Sequence, residues 1–591
     1  MFRIDKRILN YLVIILLSII TFGWTFWIFH RPFLPEVVAI VIVVRMIAST
    51  LLFKDYALSW SKARPKTFLI KSAVYFVAFA VYMPIFYGKV HVYLFVTELF
   101  TFLFAINFLM YAYAFYINKS KITKTKEVVI YGAGKAGLKL EEELQDSPYK
   151  IRYFVDDDTL LQGRSIDAIR IVSKENLKKR IGGKNKLNLL VIAMPSAPAK
   201  RVQEIYEDLN PYFEKIQILP SLESILTDRP FSKQLKEISV EDLLARHPKD
   251  LDKTAISSFI SNKTVLITGA GGSIGSELVR QCIRYGAKRL ILLDHSEFNL
   301  YQIEQEVTEQ AEIACVMQSI VNQEQLRHTF KKHRPDIVIH AAAYKHVPLV
   351  EENVEEAILN NVIGTKNCID LAIEHGVKKF VLISTDKAVR PTNVMGTTKR
   401  ICELYAQNVP SGETEIVAVR FGNVLGSSGS VIPKFKQQIE KGGPITVTHP
   451  EITRYFMLIP EACQLVLQAG AIGKGGEIFI LDMGEPVKIV DLAKKMIELS
   501  GRDDIQIVYT GLRPGEKLYE ELLIDESNAR TEYTSITIAS PTPYPIEQLR
   551  EDIQELLKTN HPLSALKKIV PEFDHKTNLD STSEKDEVKP R

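Results

Sequence analysis

Cysteine and net charge are both scarce in this 591-residue sequence. Only five cysteines occur, none before Cys282, and none forms a CxxC pair or groups with histidines at metal-ligand spacing. The pattern excludes a disulfide framework and predicts no metal site, so reduced, buried thiols are expected. A formal net charge of +4 is small for this length and gives no indication of nucleic-acid binding.

Apolar residues are unevenly distributed, with four long runs near the amino terminus. They cover residues 9–29, 34–53, 68–88 and 91–117. Each run is long enough to cross a bilayer core of ~30 Å as a helix. The first run is too long and too aromatic for a signal-peptide core, and no small-residue cleavage site follows it. The sequence therefore predicts a four-helix transmembrane domain over residues 1–120.

Cations flank these runs asymmetrically. The positive-inside bias places both ends of the membrane domain, and everything after residue 120, in the cytoplasm. Arg45 lies inside the second run, where it marks either a functional intramembrane site or a side chain that snorkels or packs between helices. The cations on the predicted cytoplasmic side are Arg3, Lys6, Arg7, Lys54, Lys62, Arg64, Lys66, Lys119, Lys121, Lys124 and Lys126, and those on the other side are Arg31 and Lys89.

A first α/β unit is predicted over residues 121–227. The stretch KEVVIYGAGKAGLKLEEEL is typical of a strand, a glycine-rich turn and a helix, and a second strand ends at Asp156. An acid 19 residues after the last glycine is typical of a dinucleotide-binding turn, and a tight turn with structural glycines is the alternative. The polar stretch 228–260 is predicted to be a linker. The turn glycines are Gly132, Gly134 and Gly137.

The second α/β unit, predicted over residues 261–574, carries a fuller nucleotide-binding pattern. KTVLITGAGGSIGSELVRQCIRYGAKRLILLD gives a strand, a TGxxGxxG turn, an amphipathic helix and a strand that ends in Asp294. A carboxylate at that strand end would accept hydrogen bonds from an adenosine ribose and repel a 2′-phosphate, so NAD is predicted in preference to NADP. The predicted cofactor contacts are Thr268, Gly269, Gly272, Ser273, Ile274, Gly275 and Asp294, with Ala341, Ala342 and Ala343 after a later strand.

A further strand, FVLIS, delivers Thr385, Asp386 and Lys387 to the sheet edge where doubly wound folds bind their ligands. The predicted fold class is an α-helical membrane domain followed by two Rossmann-like α/β domains. The second of these is a doubly wound parallel sheet with a smaller carboxyl-terminal part that binds substrate. The polar tail, residues 575–591, is predicted to be disordered.

Several motifs together carry a resemblance to a known family. They are TGAGGSIGSEL, AAAYKHVPLVE, NVIGT, STDKAVRPTNVMGTTK, VRFGNVLGSSGSVIP, THPEITRYFM and RPGEK. The chain resembles the large membrane-bound nucleotide-sugar 4,6-dehydratases of bacterial glycan synthesis, in the extended short-chain dehydrogenase superfamily. The resemblance implies tightly bound NAD, UDP-N-acetylglucosamine as substrate, a multi-pass protein of the bacterial inner membrane, and a homo-oligomer formed through the catalytic domain.

The resemblance also implies catalytic roles. Tyrosine-bearing relatives use a phenolate four residues before the lysine, but here Met395 precedes Lys399, and a thioether exchanges no proton. Asp386 is then expected to take the proton from O4 and give one to the departing O6. Lys387 is expected to be the base at C5, neutral for part of the cycle because it is buried beside NAD⁺ and Lys399. Thr385 would hydrogen-bond O4, and Lys399 would hold the nicotinamide ribose.

Further binding residues follow from the same resemblance. Arg454 and Arg513 are expected to bind the UDP diphosphate, since guanidinium groups suit phosphate oxygens. Relatives usually have Gly-Asp near the adenine, whereas this chain has Gln318 and Ser319, which predicts weaker cofactor affinity. The remaining implied contacts are Lys345, His346 and Asn423 with the substrate and Ile320 with the cofactor.

Two other functions remain open at the level of sequence. A UDP-sugar 4-epimerase shares the cofactor and the fold but needs no base at C5, which would leave Lys387 without a task. A non-catalytic membrane scaffold would account for the missing tyrosine. It would leave the glycine turn, the Thr-Asp-Lys triplet and Lys399 unexplained.

Overall fold

The computed structural model describes residues 6–52, 60, 63, 65–118, 124–145, 147–182, 186–220, 230–244, 250–522 and 529–575. By their internal contacts they form two compact units. One unit comprises Met1–Lys126 with Glu141–Lys150, and the other Glu127–Leu140 with Ile151–Arg591. The cations Arg3, Lys54, Lys62, Arg64, Lys119 and Lys121 and the tail residues 576–591, all named in the sequence predictions, lie outside the described residues.

Four helices form the apolar amino-terminal part: α1 (Lys6–Ile28), α2 (Pro35–Leu51), α3 (Pro65–Ile85) and α4 (Val92–Asn118). Among the described residues three of them, α1, α3 and α4, are long and apolar enough to cross a membrane. The prediction of four spans is therefore wrong for the second run. Helix α2 has 17 residues, and Leu52 already has an extended backbone. At about 1.5 Å per residue α2 measures about 26 Å, short of the ~30 Å hydrocarbon core.

A polar cluster lies inside this helical part. Arg45 of α2 and Glu98 of α4 form an ion pair, and neither side chain is exposed. The Arg45 guanidinium also donates to Ser18 Oγ at 3.0 Å and to the Tyr82 hydroxyl at 3.3 Å. Its carbon atom lies 3.9 Å from the centre of the Phe102 ring. Arg45 therefore packs between helices, and the snorkelling alternative is wrong.

A seven-stranded sheet follows, in the order β3-β4-β2-β1-β5-β6-β7. Its central strands are parallel, as in a Rossmann-like unit. The final strand pairs antiparallel with β6 and lies beyond residue 227, where the unit was predicted to end. The strands are β1 (Lys126–Tyr131), β2 (Tyr149–Val155), β3 (Ser165–Ile166), β4 (Ile169–Val172), β5 (Leu189–Ile192), β6 (Ile216–Ile218) and β7 (Lys236–Glu237), and the helices are α5 (Lys135–Leu144), α6 (Lys174–Ile181) and α7 (Ala199–Leu209).

The stretch predicted as a linker contains regular structure. Besides β7 it forms α8 (Val240–Leu244) and α9 (Lys253–Ile260). Helix α8 buries Val240 and Leu243, and α9 buries Ile256 and Ile260. The two isoleucines belong to the hydrophobic core of the second, nine-stranded sheet described next. Apolar residues at these helical spacings anchor the chain, because burying each such side chain contributes roughly 1.5–3 kcal/mol. The described part of residues 228–260 therefore packs against the rest of the protein and is not an open linker.

The second sheet has nine strands, in the order β10-β9-β8-β11-β12-β13-β18-β22-β21. Its last two strands, β22 and β21, are antiparallel. The strands from β10 to β18 are all parallel, and this confirms the predicted doubly wound fold. Its strands are β8 (Thr264–Thr268), β9 (Arg289–Asp294), β10 (Glu312–Met317), β11 (Ile337–His340), β12 (Lys379–Ile383), β13 (Glu415–Arg420), β18 (Ile478–Leu481), β21 (Ala529–Arg530) and β22 (Ile536–Ile538).

Helices cover this sheet, with two hydrophobic clusters between helices and strands. A π-helical turn, Ile358–Ile363, joins α14 and α15. The helices are α10 (Ser273–Arg284), α11 (Glu297–Val307), α12 (Gln323–His333), α13 (Val347–Glu352), α14 (Val354–Ala357), α15 (Gly364–Glu374), α16 (Val394–Asn408), α18 (Ile459–Ile472), α20 (Ile546–Leu556) and α21 (Pro562–Ile569).

A smaller carboxyl-terminal part has its own hydrophobic cluster, around Phe435, Ile445 and Ala493. Three short strand pairs, β14-β17, β15-β20 and β16-β19, frame it. Its elements are β14 (Asn423–Leu425), β15 (Ile445–Val447), β16 (Thr453–Arg454), β17 (Phe456–Leu458), β19 (Val487–Lys488) and β20 (Ile507–Tyr509), with α17 (Val431–Glu440) and α19 (Ile489–Ser500).

Candidate active site

A cavity of about 760 Å³ lies beyond the carboxyl ends of β8, β11 and β12. Parallel strands end together at this edge, so residues from distant stretches of sequence meet there. Fourteen residues predicted to be functional line the cavity. They are Gly269, Gly272, Ser273, Ile274, Gly275, Ala341, Ala343, Lys345, His346, Thr385, Lys387, Met395 and Lys399, and Asn423 joins them from β14.

The glycine turn between β8 and α10 forms one wall. Gly269 has φ +65°, and a β-carbon there would lie 2.8 Å from the Ala342 backbone nitrogen. A β-carbon on Gly275 would overlap the Gly269 carbonyl oxygen. Gly272 caps the amino end of α10 without a side-chain cap, which leaves backbone N–H groups facing the cavity edge. Such a turn accommodates a phosphate group against bare backbone.

Two side chains behind this wall hold it in place. Asp294 accepts hydrogen bonds from the backbone N–H groups of Gly271 and Ser296, each at 2.9 Å, and is almost fully buried. Thr268 contacts His340 Nδ1 at 2.7 Å and accepts from the Ala342 N–H at 3.3 Å. Neither Asp294 nor Thr268 lines the cavity. Their observed contacts support the backbone of the turn.

Thr385, Asp386 and Lys387 form a compact group after β12. The Thr385 hydroxyl donates to Asp386 Oδ1 at 2.8 Å, and Lys387 Nζ donates to the same oxygen at 3.0 Å. Lys387 Nζ also donates to Asn423 Oδ1 at 3.2 Å. Thr385 and Lys387 line the cavity, whereas Asp386 has no exposed surface. The Asp386 carboxylate therefore lies one hydrogen bond behind the cavity wall.

The second oxygen of Asp386 has an unusual environment. Among the described residues Oδ2 has no hydrogen-bond partner, although it is buried. It faces Gly422, where a β-carbon would lie 3.0 Å away. A buried carboxylate oxygen without a partner is costly, and such atoms in native proteins often belong to functional groups.

The electrostatics of the two lysines differ. Burial lowers the pKa of Lys387, but the nearby carboxylates of Asp386 and Glu520 oppose it, and the pKa is raised overall. This direction is opposite to the one expected for Lys387 from burial beside NAD⁺ and Lys399, and its neutrality for part of the cycle stays a prediction. Burial does lower the pKa of Lys399, with Cys402 and Glu403 opposing only in part.

Helix α16 places Met395 and Lys399 on one face, since residues four apart are neighbours on a helix. Asn393 caps the helix by accepting from the Gly396 N–H at 2.8 Å. Gly396 packs against the Lys387 carbonyl so closely that a β-carbon would overlap it. Met395 is 3% exposed and belongs to the hydrophobic core while it lines the cavity. An apolar side chain thus occupies the expected tyrosine position.

Comparison with known proteins gives a consistent family. Residues 265–541 match the family described as "Polysaccharide biosynthesis protein". The chain is 48% identical over 410 residues to the capsular polysaccharide biosynthesis protein CapD of Staphylococcus aureus. The alignment covers 67% of this chain and 68% of CapD. It is 47% identical over 422 residues to the probable polysaccharide biosynthesis protein EpsC of Bacillus subtilis (strain 168). That alignment covers 69% of this chain and 70% of EpsC.

The chain belongs to the polysaccharide biosynthesis protein family. Part of the chain is also similar to the UDP-glucose 4-epimerase of Rickettsia rickettsii (strain Sheila Smith). That similarity is 34% identity over 282 residues, which cover 46% of this chain and 80% of the epimerase.

In this polysaccharide biosynthesis protein the two arginines predicted to bind diphosphate lie outside the cavity lining. Arg454 is 7% exposed and donates to the carbonyl oxygens of Thr453 at 2.7 Å and Lys517 at 2.9 Å. Arg513 pairs with Glu516 at 3.0 Å, with half of its side chain exposed. Their guanidinium groups are occupied by neighbouring backbone and carboxylates, which the motif letters did not reveal.

Three other predicted cofactor residues also lie outside the lining of the cavity. Ser319 is exposed, and its hydroxyl accepts from the Val321 N–H at 3.2 Å. Ile320 is 3% exposed and packs in the core so tightly that a β-carbon on Gly364 would lie 2.5 Å from its Cδ1. Ala342 lies between the lining residues Ala341 and Ala343, with its N–H held by Thr268.

Two features of the site in this polysaccharide biosynthesis protein, His340 and Glu520, had no signal in the sequence, whereas the turn-rich stretch VRFGNVLGSSGSVIPKF indicates a third, a substrate-binding loop after β14. His340 is fully buried, and burial followed by the charge of Lys399 lowers its pKa to about 3. The loop after β14 contributes Ser427, Gly429 and Ser430 to the cavity. Glu520 reaches Lys387 from a distant segment, with 3.7 Å between Oε1 and Nζ. Only the loop had a sequence signal, its GSSGS composition.

Proposed function

We propose that this chain is an NAD-dependent nucleotide-sugar enzyme of glycan synthesis and, more specifically, a UDP-N-acetylglucosamine 4,6-dehydratase. In that reaction C4 is oxidised, water is eliminated across C5 and C6, and C6 is reduced. The observation that carries the proposal is the Thr385-Asp386-Lys387 group at the cavity wall, with two hydrogen bonds converging on one Asp386 oxygen. An epimerase needs one acid–base group at O4, whereas a dehydratase needs a second at C5.

The proposed proton path from O4 runs through Thr385. Because Asp386 has no exposed surface, the Thr385 hydroxyl takes the O4 proton as it passes its own to Asp386 Oδ1, 2.8 Å away. The same path in reverse delivers that proton to the departing O6, which leaves as water. The proton lost from O4 is thereby the proton gained by the leaving group, and Asp386 ends the cycle ionised.

We assign to Lys387 the removal and return of the proton at C5. Its side chain is 20% exposed in the cavity, so it first releases its own proton to water there. Protonation of Asp386 removes one of the two negative charges that raise the pKa of Lys387, and this favours the release. The neutral amine then takes the C5 proton, made acidic by the adjacent ketone. The resulting ammonium group exchanges its hydrogens with water in the cavity, and Lys387 later returns one of them to C5.

NAD fits the residues present. Gly269 and Gly275 line the cavity in a turn whose close backbone packing only glycine permits, and the amino end of α10 favours the charge of a pyrophosphate there. Lys399 lines the cavity as the position of a ribose-binding lysine requires. When bound, the dinucleotide supplies the hydride acceptor for C4 and the hydride donor for C6. Lys345 and the neighbouring imidazole of His346 also line the cavity, and they are the candidates to meet the sugar diphosphate in place of Arg454 and Arg513.

A second candidate function is a UDP-sugar 4-epimerase. One observation favours it: the carboxylates around Lys387 raise its pKa, which keeps it protonated and unsuited to act as a base. The relative named UDP-glucose 4-epimerase is 34% identical to this chain over 282 residues. Location in the bacterial inner membrane and assembly as a homo-oligomer remain further parts of the proposal.

One experiment separates these functions. The full-length protein in detergent is incubated with NAD and UDP-N-acetylglucosamine in deuterium oxide, and the nucleotide sugar is analysed by mass spectrometry and NMR. A dehydratase yields a product that lacks one water and carries deuterium at C5. An epimerase yields a 4-epimer with unchanged formula and no deuterium at C5, and recovery of unchanged substrate would contradict both enzymatic assignments.

A further inference from the structure

A buried carboxylate, Glu520, lies beside the candidate catalytic lysine. It belongs to the segment after β20, which packs on the turn between Lys387 and α16. Lys517 of this segment donates to the Val389 carbonyl oxygen at 3.0 Å. The Gly515 carbonyl oxygen accepts from Thr392 Oγ1 at 2.9 Å and from Asn393 Nδ2 at 3.1 Å. These bonds fix the segment against the wall that carries Lys387.

Glu520 lies between two cations. Its Oε1 is 3.7 Å from Lys387 Nζ and 3.6 Å from Arg454 Nε, and its side chain is 4% exposed. Its other oxygen, Oε2, is buried and has no hydrogen-bond partner among the described residues. A carboxylate in such a place is stable only when cations compensate its desolvation. The geometry therefore ties the charge of Glu520 to both neighbours.

The two neighbours are not equivalent. Arg454 is fixed by the backbone carbonyl oxygens of Thr453 and Lys517 and does not line the cavity. Lys387 lines the cavity, and its Nζ contacts Asp386 at 3.0 Å and Asn423 at 3.2 Å. Arg454 thus anchors Glu520. Glu520 in turn faces the Lys387 amine, which loses and regains a proton in the proposed reaction.

Asp386 and Glu520 also have different tasks. In the proposed reaction Asp386 gains a proton during oxidation and loses its charge. Glu520 has no contact with the cavity and keeps the permanent cation Arg454 beside it, so it stays ionised. After Asp386 is protonated, Glu520 is the anionic neighbour left to Lys387 among the charged groups that face it, namely Asp386, Glu520 and Arg454.

We propose that Glu520, anchored by Arg454, is a positioning residue that holds the Lys387 amine against the sugar-facing wall throughout the cycle. The proposal rests on the dehydratase function proposed above. Without Glu520, the Lys387 amine has no anionic neighbour once Asp386 takes up a proton, and only the Asn423 amide oxygen still holds it. A displacement of about 1 Å at a reacting group lowers rates by roughly 10²-fold.

The test compares three full-length variants. Glu520→Gln keeps the shape but removes the charge, and Glu520→Asp keeps the charge. Glu521→Gln makes the same change one residue further on, where the carboxylate pairs with Arg390 at 2.9 Å and lies outside the lining of the cavity. We expect Glu520→Gln to lower kcat about 10–100-fold with KM unchanged. Glu520→Asp should recover part of the loss, and Glu521→Gln should match the parent protein.

A second readout does not depend on turnover. Competitive labelling of lysines with acetic anhydride, followed by peptide mass spectrometry across pH, gives the titration midpoint of Lys387. Removing a neighbouring negative charge should move that midpoint down by on the order of one pH unit in Glu520→Gln and leave it in place in Glu521→Gln. Equal midpoints in Glu520→Gln and the parent protein, or a loss of kcat with an unmoved midpoint, would overturn the proposal.

The two readouts also separate this proposal from the function on which it rests. A parent protein that turns over no UDP-N-acetylglucosamine contradicts the dehydratase function, whatever the labelling shows. A parent protein that dehydrates the sugar, together with a Glu520→Gln variant of unchanged kcat and midpoint, contradicts only the role of Glu520.

Discussion

Arg45 Nη2 lies 2.5 Å from Glu98 Oε2, and both side chains are fully buried among the amino-terminal helices. The pair joins α2 to α4, and a further hydrogen bond from Thr21 to Glu98 Oε1 at 2.6 Å brings in α1. Two opposite charges and their hydrogen bonds compensate each other where neither alone would be tolerated. The short helix α2 is thereby fastened to longer neighbours.

We expect single substitutions of this pair to destabilise the helical part more than a double substitution. Arg45→Met or Glu98→Leu alone leaves one uncompensated buried charge, at a cost of roughly 3–5 kcal/mol. The double variant removes both charges and should recover most of the loss. Thermal unfolding in detergent measures this, with Glu36→Gln, an exposed position on α2, as the control. A double variant as unstable as the singles would show that the pair is not the cause.

Asp386→Asn should lower turnover more than any other conservative change in the cavity region. Loss of one acid–base group costs roughly 10²–10⁴-fold, and Asp386 serves two proton transfers, so the upper end is expected. Thr385→Val should be nearly as severe, because the carboxylate reaches the cavity through the Thr385 hydroxyl. Steady-state kinetics with UDP-N-acetylglucosamine give both numbers. A fully active Thr385→Val would mean that Asp386 contacts the sugar directly.

Restoring a tyrosine at position 395 should not raise turnover. Met395 is packed in the core and lines the cavity, and in the proposed reaction the hydroxyl of Thr385 and the carboxylate of Asp386 already take the O4 proton, so an added phenol has no transfer to serve. We expect Met395→Tyr to be less active than the parent protein and Met395→Leu, of similar volume, to remain close to it. Higher kcat in Met395→Tyr than in Met395→Leu would indicate that O4 loses its proton toward α16.

Gly269→Ala should abolish dinucleotide binding. The added β-carbon would lie 2.8 Å from the Ala342 backbone nitrogen in a turn with φ +65°, so the backbone must shift and the turn loses the shape that a pyrophosphate needs. Gly376→Ala is the matched control, since Gly376 has φ +68° and open space around it. Both variants bear the same kind of backbone strain, but only the first should release NAD, measured as bound nucleotide after denaturation. Equal NAD content in the two variants would show that the turn is not part of the cofactor site.

Local patterns predicted the parts of the site that are contiguous in sequence. The glycine turn, the Thr-Asp-Lys triplet and the Met395-Lys399 pair each lie on one element, and the strand ends bring them to one cavity. Their mutual arrangement follows from the parallel order of the sheet, which the alternating strands and helices predict.

Long-range contacts account for what the sequence did not predict. Glu520 meets Lys387 only because the segment after β20 packs on the turn before α16, and no spacing rule connects them. The direction of the Arg454 guanidinium depends on carbonyl oxygens of the same segment. Likewise the polar composition before residue 260 favours a linker, because the few apolar residues there, such as Ile256 and Ile260, have partners far away in the chain.

The antiparallel strand β22 has a consequence for biosynthesis. β18 ends at Leu481 and its neighbour β22 begins at Ile536, so the ribosome needs about 3–11 s to produce the chain between them at ~5–20 residues per second. Throughout that interval the growing sheet presents β18 as an open edge, with Phe479 and Leu481 on a strand that is buried in the finished protein. An unpaired apolar edge invites pairing with other chains. Nascent chains stalled before residue 536 should therefore be the aggregation-prone, chaperone-bound species of this protein.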